Sequence, residues 1–114
     1  MNSKVQDVCA RLVQEIEASI KKHGDWSDYA FHQMDNATFC EWLEMGEAID
    51  RSDITGEHGV IREALQTAAC LVKWVIQMEA RMKLFCDDGH EWFGDCLPAV
   101  CPRCHMPAVG ARQS

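Results

Sequence analysis

Four candidate metal ligands close together in the last third of the chain constrain its fold more than any other feature. Cys86 and His90 form a C-x3-H pair, and Cys101 and Cys104 form a C-x2-C pair ten residues further along. Thiolate and imidazole are preferred ligands of Zn²⁺, and a closed set of four protein ligands is typical of a structural site. We therefore predict one tetrahedral zinc site, with Cys96 as an alternative to His90 in a four-cysteine site.

The two parts of the chain differ in composition on either side of position 85. Residues 86–114 contain all three prolines and four of the seven cysteines, whereas residues 1–85 contain no proline. Proline restricts the backbone and donates no hydrogen bond, so we expect helix before position 85 and loop or short strand after it. This predicts a helical domain at 1–85 and a zinc-binding tail at 86–114 that resembles a zinc ribbon. Because so short a tail buries little core, metal binding would contribute to its folding free energy.

Three helices are predicted from the three- and four-residue spacing of apolar side chains, at residues 3–22, 36–51 and 56–84. The third is apolar over more than one narrow stripe, which is typical of a central helix or of a dimer interface. At 1.5 Å per residue it would be about 40 Å long, more than a compact bundle of this size needs. The predicted fold class is all-α, a helical bundle that forms a homodimer and carries the small zinc module.

Charge and hydropathy exclude several functions. The formal net charge is −7, which disfavours nonspecific binding to nucleic acid or to a membrane surface. No apolar run approaches the roughly 20 residues that span a bilayer, and the polar N-terminus has no signal-peptide core. Seven cysteines in a cytosolic chain indicate metal binding and free thiols rather than disulfides. We expect a cytoplasmic protein of a bacterial or phage-infected cell.

Carboxylates recur on the second predicted helix. Glu41, Glu44 and Glu47 are spaced by three residues and spread over about 120° of one face. If the second and third helices pack antiparallel, Glu44 and Glu47 approach Glu63. Clustered carboxylates suit Mg²⁺ or Mn²⁺, which can activate a water for attack on phosphorus. A solvated acidic surface is the alternative interpretation of the same spacing.

The run Glu44-x2-Glu47, fifteen residues, then Glu63-x2-Gln66 resembles the MazG-like all-α nucleotide pyrophosphohydrolases, whose pattern is E-E-x2-E, a gap, then E-x2-D. The resemblance covers roughly residues 10–80. It implies a dimeric helical bundle that binds Mg²⁺ through Glu44, Glu47 and Glu63 and cleaves nucleoside triphosphates to monophosphate and pyrophosphate. It also suggests Lys73 and Trp74 as contacts to phosphate and base.

Two positions depart from that pattern and keep other functions open. Leu43 stands where the first Glu would be, with Glu41 nearby as a substitute, and Gln66 stands where the pattern has Asp. A chain that had lost catalysis could instead be a small acidic phage-type protein that binds and blocks a host protein. In a third alternative, the zinc segment is the working part and the helices are a dimerisation platform.

Overall fold

The computed structural model describes residues 2–93 and 100–113, and it contains three helices followed by three short strands. The helices are α1 (Ser3–His23), α2 (Phe31–Asp50) and α3 (Val60–Ala80), and the strands are β1 (Met82–Phe85), β2 (Glu91–Phe93) and β3 (Gly110–Gln113). The chain divides into two compact units, residues 1–74 and residues 75–114, with the boundary inside α3. Within the described residues, no helix is both long and apolar enough to cross a bilayer. The mostly helical prediction is confirmed.

Helix α1 agrees with its predicted bounds to within one residue at its end. The Asn2 side chain accepts a hydrogen bond from the Lys4 amide at 2.8 Å, which satisfies one of the free N–H groups of the first turn. At the other end Gly24 adopts φ +80°, and its amide donates to the Ile20 carbonyl at 2.8 Å. This conformation favours glycine, so the helix ends where the sequence indicated.

Helix α2 begins five residues earlier than predicted, and α3 begins four residues later. The Gln33 side chain accepts from the Ala30 amide at 2.8 Å, which caps α2 ahead of position 36, where the helix was predicted to begin. Before α3, Asp53 accepts from the Gly56 amide through its side chain and from the Val60 amide through its carbonyl, at 3.0 and 2.8 Å. These bonds hold residues 53–59 as an ordered turn, so the helix starts only at Val60.

The prediction that α3 continues to position 84 was wrong. The helix ends at Ala80, and β1 follows at Met82–Phe85. Residues of β1 pair with both β2 and β3, and this non-local pairing outweighs the local helical preference of the segment. A helix of 21 residues is about 30 Å long, so the length argument for a dimer no longer applies.

The first unit has α2 and α3 antiparallel. Near the start of α2, Thr38 accepts from the Trp74 indole N–H at 2.9 Å, and the rings of Phe31 and Trp74 lie 5.6 Å apart. Near the start of α3, Arg62 Nε lies 3.1 Å from Glu15 Oε2 on α1. The buried apolar side chains described for this unit are Trp26, Met34, Ala48, Ala69 and Cys70.

The second unit is built on a three-stranded antiparallel sheet in the order β2-β1-β3. Leu84 in the central strand pairs with Trp92 on one side and with Ala111 on the other. Trp92 is buried and packs with Cys86 and Cys101. The sheet therefore presents its apolar face to the cysteines of the predicted metal site.

Candidate functional site

The four predicted zinc ligands lie close together in the second unit, with their ligand atoms all within 4.8 Å of one another. Nδ1 of His90 lies 3.5 Å from Sγ of both Cys86 and Cys101, and Sγ of Cys104 lies 3.7 Å from Sγ of Cys86. A tetrahedron with Zn–S near 2.3 Å and Zn–N near 2.05 Å has S–N edges of about 3.5 Å and S–S edges of about 3.8 Å. The cluster can therefore bind a metal such as zinc, with Nδ1 as the histidine ligand atom.

Two tight turns bring these ligands together. In the first, the Cys86 amide donates to the His90 carbonyl at 3.1 Å, and Gly89 adopts φ +82°. In the second, the Cys101 amide donates to the Met106 carbonyl at 2.7 Å. The Arg103 amide points at Cys101 Sγ from 3.4 Å, as expected for a knuckle that compensates thiolate charge.

The Cys101 thiol is the group of this cluster whose ionisation the fold favours. Burial opposes the charged form, but hydrogen bonds from the backbone amides of Cys104 and Arg103, together with His90, lower the pKa of Cys101 to about 6. A thiolate at neutral pH is the form that binds metal. Cys96, the alternative ligand, lies outside the described residues.

The second candidate site is a carboxylate cluster in the first unit. Glu41 and Glu44 on α2 and Glu63 in the first turn of α3 bring carboxylate oxygens within 4.8 Å of one another. Two of the three predicted magnesium ligands, Glu44 and Glu63, are thus together, and Glu41 completes the group. Glu47 lies in the lining of an adjacent cavity of about 620 Å³, together with Glu44 and Glu63. Sequence spacing alone did not separate Glu41 from Glu47, because both lie three residues from Glu44.

Burial gives this cluster unusual electrostatics. The Glu63 side chain is 2% exposed, and its Oε1 lies 3.5 Å from Nδ1 of His58. Burial, together with repulsion from Glu44 and Glu63, raises the pKa of Glu41 to about 7. Burial and the hydrogen bond with Glu44 also raise the pKa of Glu63, against the opposing influence of His58. The carboxylates therefore favour a shared proton or a bound cation over three full negative charges.

Gln66 contacts two members of the cluster. With its amide nitrogen facing the carboxylates, it donates to Glu63 Oε2 at 2.8 Å and to Glu41 Oε2 at 3.2 Å. The residue that departs from the pyrophosphohydrolase pattern therefore lies at the cluster, where it supplies a neutral donor.

Lys73 and Trp74, suggested as contacts to phosphate and base, are placed elsewhere in the first unit. Lys73 is 1% exposed, and its Nζ lies 4.9 Å from the ring centroid of Trp26. The indole N–H of Trp74 is bonded to Thr38. Neither residue is among those that line the two cavities at the carboxylates.

Comparisons with protein-family models, curated proteins and solved structures gave no match for this chain. The resemblance to MazG-like pyrophosphohydrolases therefore rests on the motif residues themselves. Their arrangement in the fold is the basis for a functional proposal.

Proposed function

We propose that this protein is a divalent-metal-dependent hydrolase that cleaves nucleoside triphosphates to monophosphate and pyrophosphate. The observation that carries the proposal is the convergence of Glu41, Glu44 and Glu63, of which Glu63 is fully buried while Glu41 and Glu44 line a cavity. Oxygen-only clusters suit Mg²⁺ and Mn²⁺, whose remaining coordination positions accept phosphate oxygens and water. The MazG-like resemblance of the same segment implies the same reaction.

The residues of the cluster would have different roles according to whether they are buried or exposed. Glu63 is buried and held near His58, so it would fix the position of the ion, while Glu44 is open to the cavity. Gln66, bonded to Glu41 and Glu63, would orient both carboxylates. Glu47, from the adjacent cavity, stays a candidate for a further ligand. A bound Mg²⁺ would supply charge compensation for the phosphates and a lowered pKa for an attacking water.

The direct test measures pyrophosphate release from the common ribo- and deoxyribonucleoside triphosphates in the presence of Mg²⁺ or Mn²⁺. We expect activity in the wild-type protein and its loss in Glu63→Gln. Glu17→Gln is the matched control, because Glu17 is an exposed glutamate of α1 outside both cavities. Absence of pyrophosphate from every triphosphate tested would contradict the proposal.

For the second unit we propose a zinc-ribbon-like module with structural zinc. The tetrahedral edges of 3.5 and 3.7 Å among its ligand atoms support this assignment. Within the described residues, the cysteines outside the cluster are free thiols, in agreement with the cytoplasmic location that we propose: Cys9, Cys40 and Cys70. One zinc ion per chain in the purified protein is the expected result.

A second candidate function, protein binding, is favoured by the exposed apolar face of α2. Phe39, Trp42, Leu43 and Ile49 are each about half exposed, and the last three line a shallow apolar cavity of about 270 Å³. Such a patch is typical of an interface, and because the MazG-like resemblance implies a dimer, we propose a second copy of this chain as its occupant. Light scattering should give twice the chain mass for the wild type and the single-chain mass for Trp42→Glu. A wild-type monomer that captures a host protein would favour the non-catalytic alternative.

A further inference from the structure

The cavity beside the carboxylate cluster is lined by charges of both signs. Its volume is about 310 Å³, and Glu15, Glu41 and Glu44 contribute carboxylates to its wall. The same lining contains the cationic groups of Lys22 and Arg62 and the imidazole of His23. A purely acidic wall would repel a phosphate chain, whereas this combination offers a place for a cation and a place for anions.

Two basic side chains of this cavity, Lys22 and His23, are available for a ligand, whereas Arg62 is paired with a carboxylate. Lys22 and His23 belong to the last turn of α1, both are exposed, and neither forms an ion pair within the described part of the chain. Arg62 engages Glu15 through Nε at 3.1 Å, and its side chain stays 47% exposed. The neighbouring Lys21 has the same chemistry and the same place in the last turn, but it does not line the cavity.

We propose that Lys22, His23 and Arg62 form a phosphate-binding subsite, and that this cavity takes the polyphosphate chain of a metal-chelated ligand. The inference rests on the proposed function and specifies how that site recognises its substrate. Divalent metal at the carboxylates would compensate the phosphates nearest to it, and the three basic groups would compensate those further along the chain. These two ways of compensating phosphate charge would account for the presence of both acidic and basic side chains in the lining of one cavity.

The size and chemistry of the cavity indicate which part of a nucleotide it holds. A cavity of about 310 Å³ has room for a triphosphate chain. The lining contributed by the described residues includes no Phe, Tyr or Trp side chain on which a base could stack. Binding here would therefore depend on the phosphate chain, with little preference for the base.

The test is calorimetric titration of the full-length protein with tripolyphosphate in the presence of Mg²⁺, a probe that has no base and requires no hydrolysis. We expect Lys22→Gln to weaken binding by about fivefold or more, since a charge-assisted contact is lost at a partly exposed site. Lys22→Arg should retain binding, and Lys21→Gln should match the wild type. ATP, GTP, CTP and UTP should bind within about threefold of one another, because the described lining of the cavity offers no ring on which a base could stack.

Three results would overturn the inference: no binding of tripolyphosphate, equal effects of Lys22→Gln and Lys21→Gln, or a strong preference for one base. These outcomes are separate from failure of the proposed function. If the protein binds tripolyphosphate through Lys22 but releases pyrophosphate from no nucleotide, the phosphate-binding subsite is supported and the hydrolase function is contradicted. If Lys22→Gln hydrolyses triphosphates as efficiently as the wild type, the hydrolase function is supported and the phosphate-binding subsite is contradicted.

Discussion

With its amide nitrogen facing the carboxylates, Gln66 donates to Oε2 of the buried Glu63 at 2.8 Å and to Oε2 of Glu41 at 3.2 Å. Gln66 stands where the pyrophosphohydrolase pattern has Asp, so this chain has a neutral donor at a position where that pattern has a carboxylate. Such a donor stabilises two crowded carboxylates, whereas another acid would add to their repulsion. A glutamine at position 66 therefore offers a metal less negative charge than an aspartate would. It also reduces the repulsion between the carboxylates in the metal-free protein.

Gln66→Asp should therefore bind Mg²⁺ more tightly than the wild type, on the order of tenfold, because affinity for hard cations follows the charge count of the ligands. The same variant should be less stable without metal, because the donor to Glu63 is lost. Calorimetric titration with Mg²⁺ and metal-free thermal unfolding measure the two effects. Gln14→Asp, at an exposed position of α1, is the control for added charge. An unchanged Mg²⁺ affinity in Gln66→Asp would show that position 66 does not face the metal.

Replacing each glutamate by glutamine should lower kcat/KM most for the residues that lie within the carboxylate cluster. We expect Glu63→Gln and Glu41→Gln to lower kcat/KM by at least about 100-fold, as removal of a metal ligand does. The grouping of Glu41 with Glu44 and Glu63 leads us to expect a smaller loss for Glu47→Gln. A loss in Glu47→Gln as large as in Glu63→Gln would instead make Glu47 a ligand, as the motif resemblance implies.

The pKa of about 7 for Glu41 predicts a pH dependence of the metal-free protein. Between the ordinary glutamate pKa and pH 7 the folded state binds more protons at this site than the unfolded state, so stability falls as pH rises through that window. After allowance for partial exposure of Glu41, the effect is about 1 kcal/mol, or a few degrees in Tm. Wild-type Tm should drop between pH 5 and pH 8 relative to that of Glu41→Gln, and Mg²⁺ should reduce the drop at pH 8. Parallel pH profiles for the two proteins would contradict the raised pKa.

The sequence predicted the features that depend on local spacing. Cys86 with His90 and Cys101 with Cys104 are each joined by one tight turn, so the ligand set was readable from the chain, as was the end of α1 at Gly24. The end of α3 was not readable in this way, because β1 exists only through pairing with strands that come later in the chain.

The choice between Glu41 and Glu47 also depends on non-local structure. Both lie one helical step from Glu44, and only the axial position of α3 against α2 decides which of them meets Glu63. The proximity of Lys22 to the carboxylates likewise comes from helix packing. Sequence spacing predicted that carboxylates converge, but only the packing of the helices shows that Glu41, rather than Glu47, groups with Glu44 and Glu63.

Removal of one zinc ligand should separate the roles of the two units. Cys104→Ser should lose bound zinc, because three remaining ligands no longer close the tetrahedron. Trp92, only 4% exposed beside Cys86 and Cys101, should then become solvent-exposed and shift its fluorescence to longer wavelength. A Trp92→Phe background, in which the shift disappears, assigns the signal to this tryptophan among the four in the chain.

The helical signal in circular dichroism should persist in Cys104→Ser, because the core of the first unit lies within residues 1–74. Cys40→Ser removes an exposed free thiol on α2 and should keep both the zinc and the fluorescence of the wild type. If pyrophosphate release also survives in Cys104→Ser, the zinc unit is a structural appendage to the carboxylate site. Full zinc content in Cys104→Ser would refute the assigned ligand set and point to another cysteine as the fourth ligand.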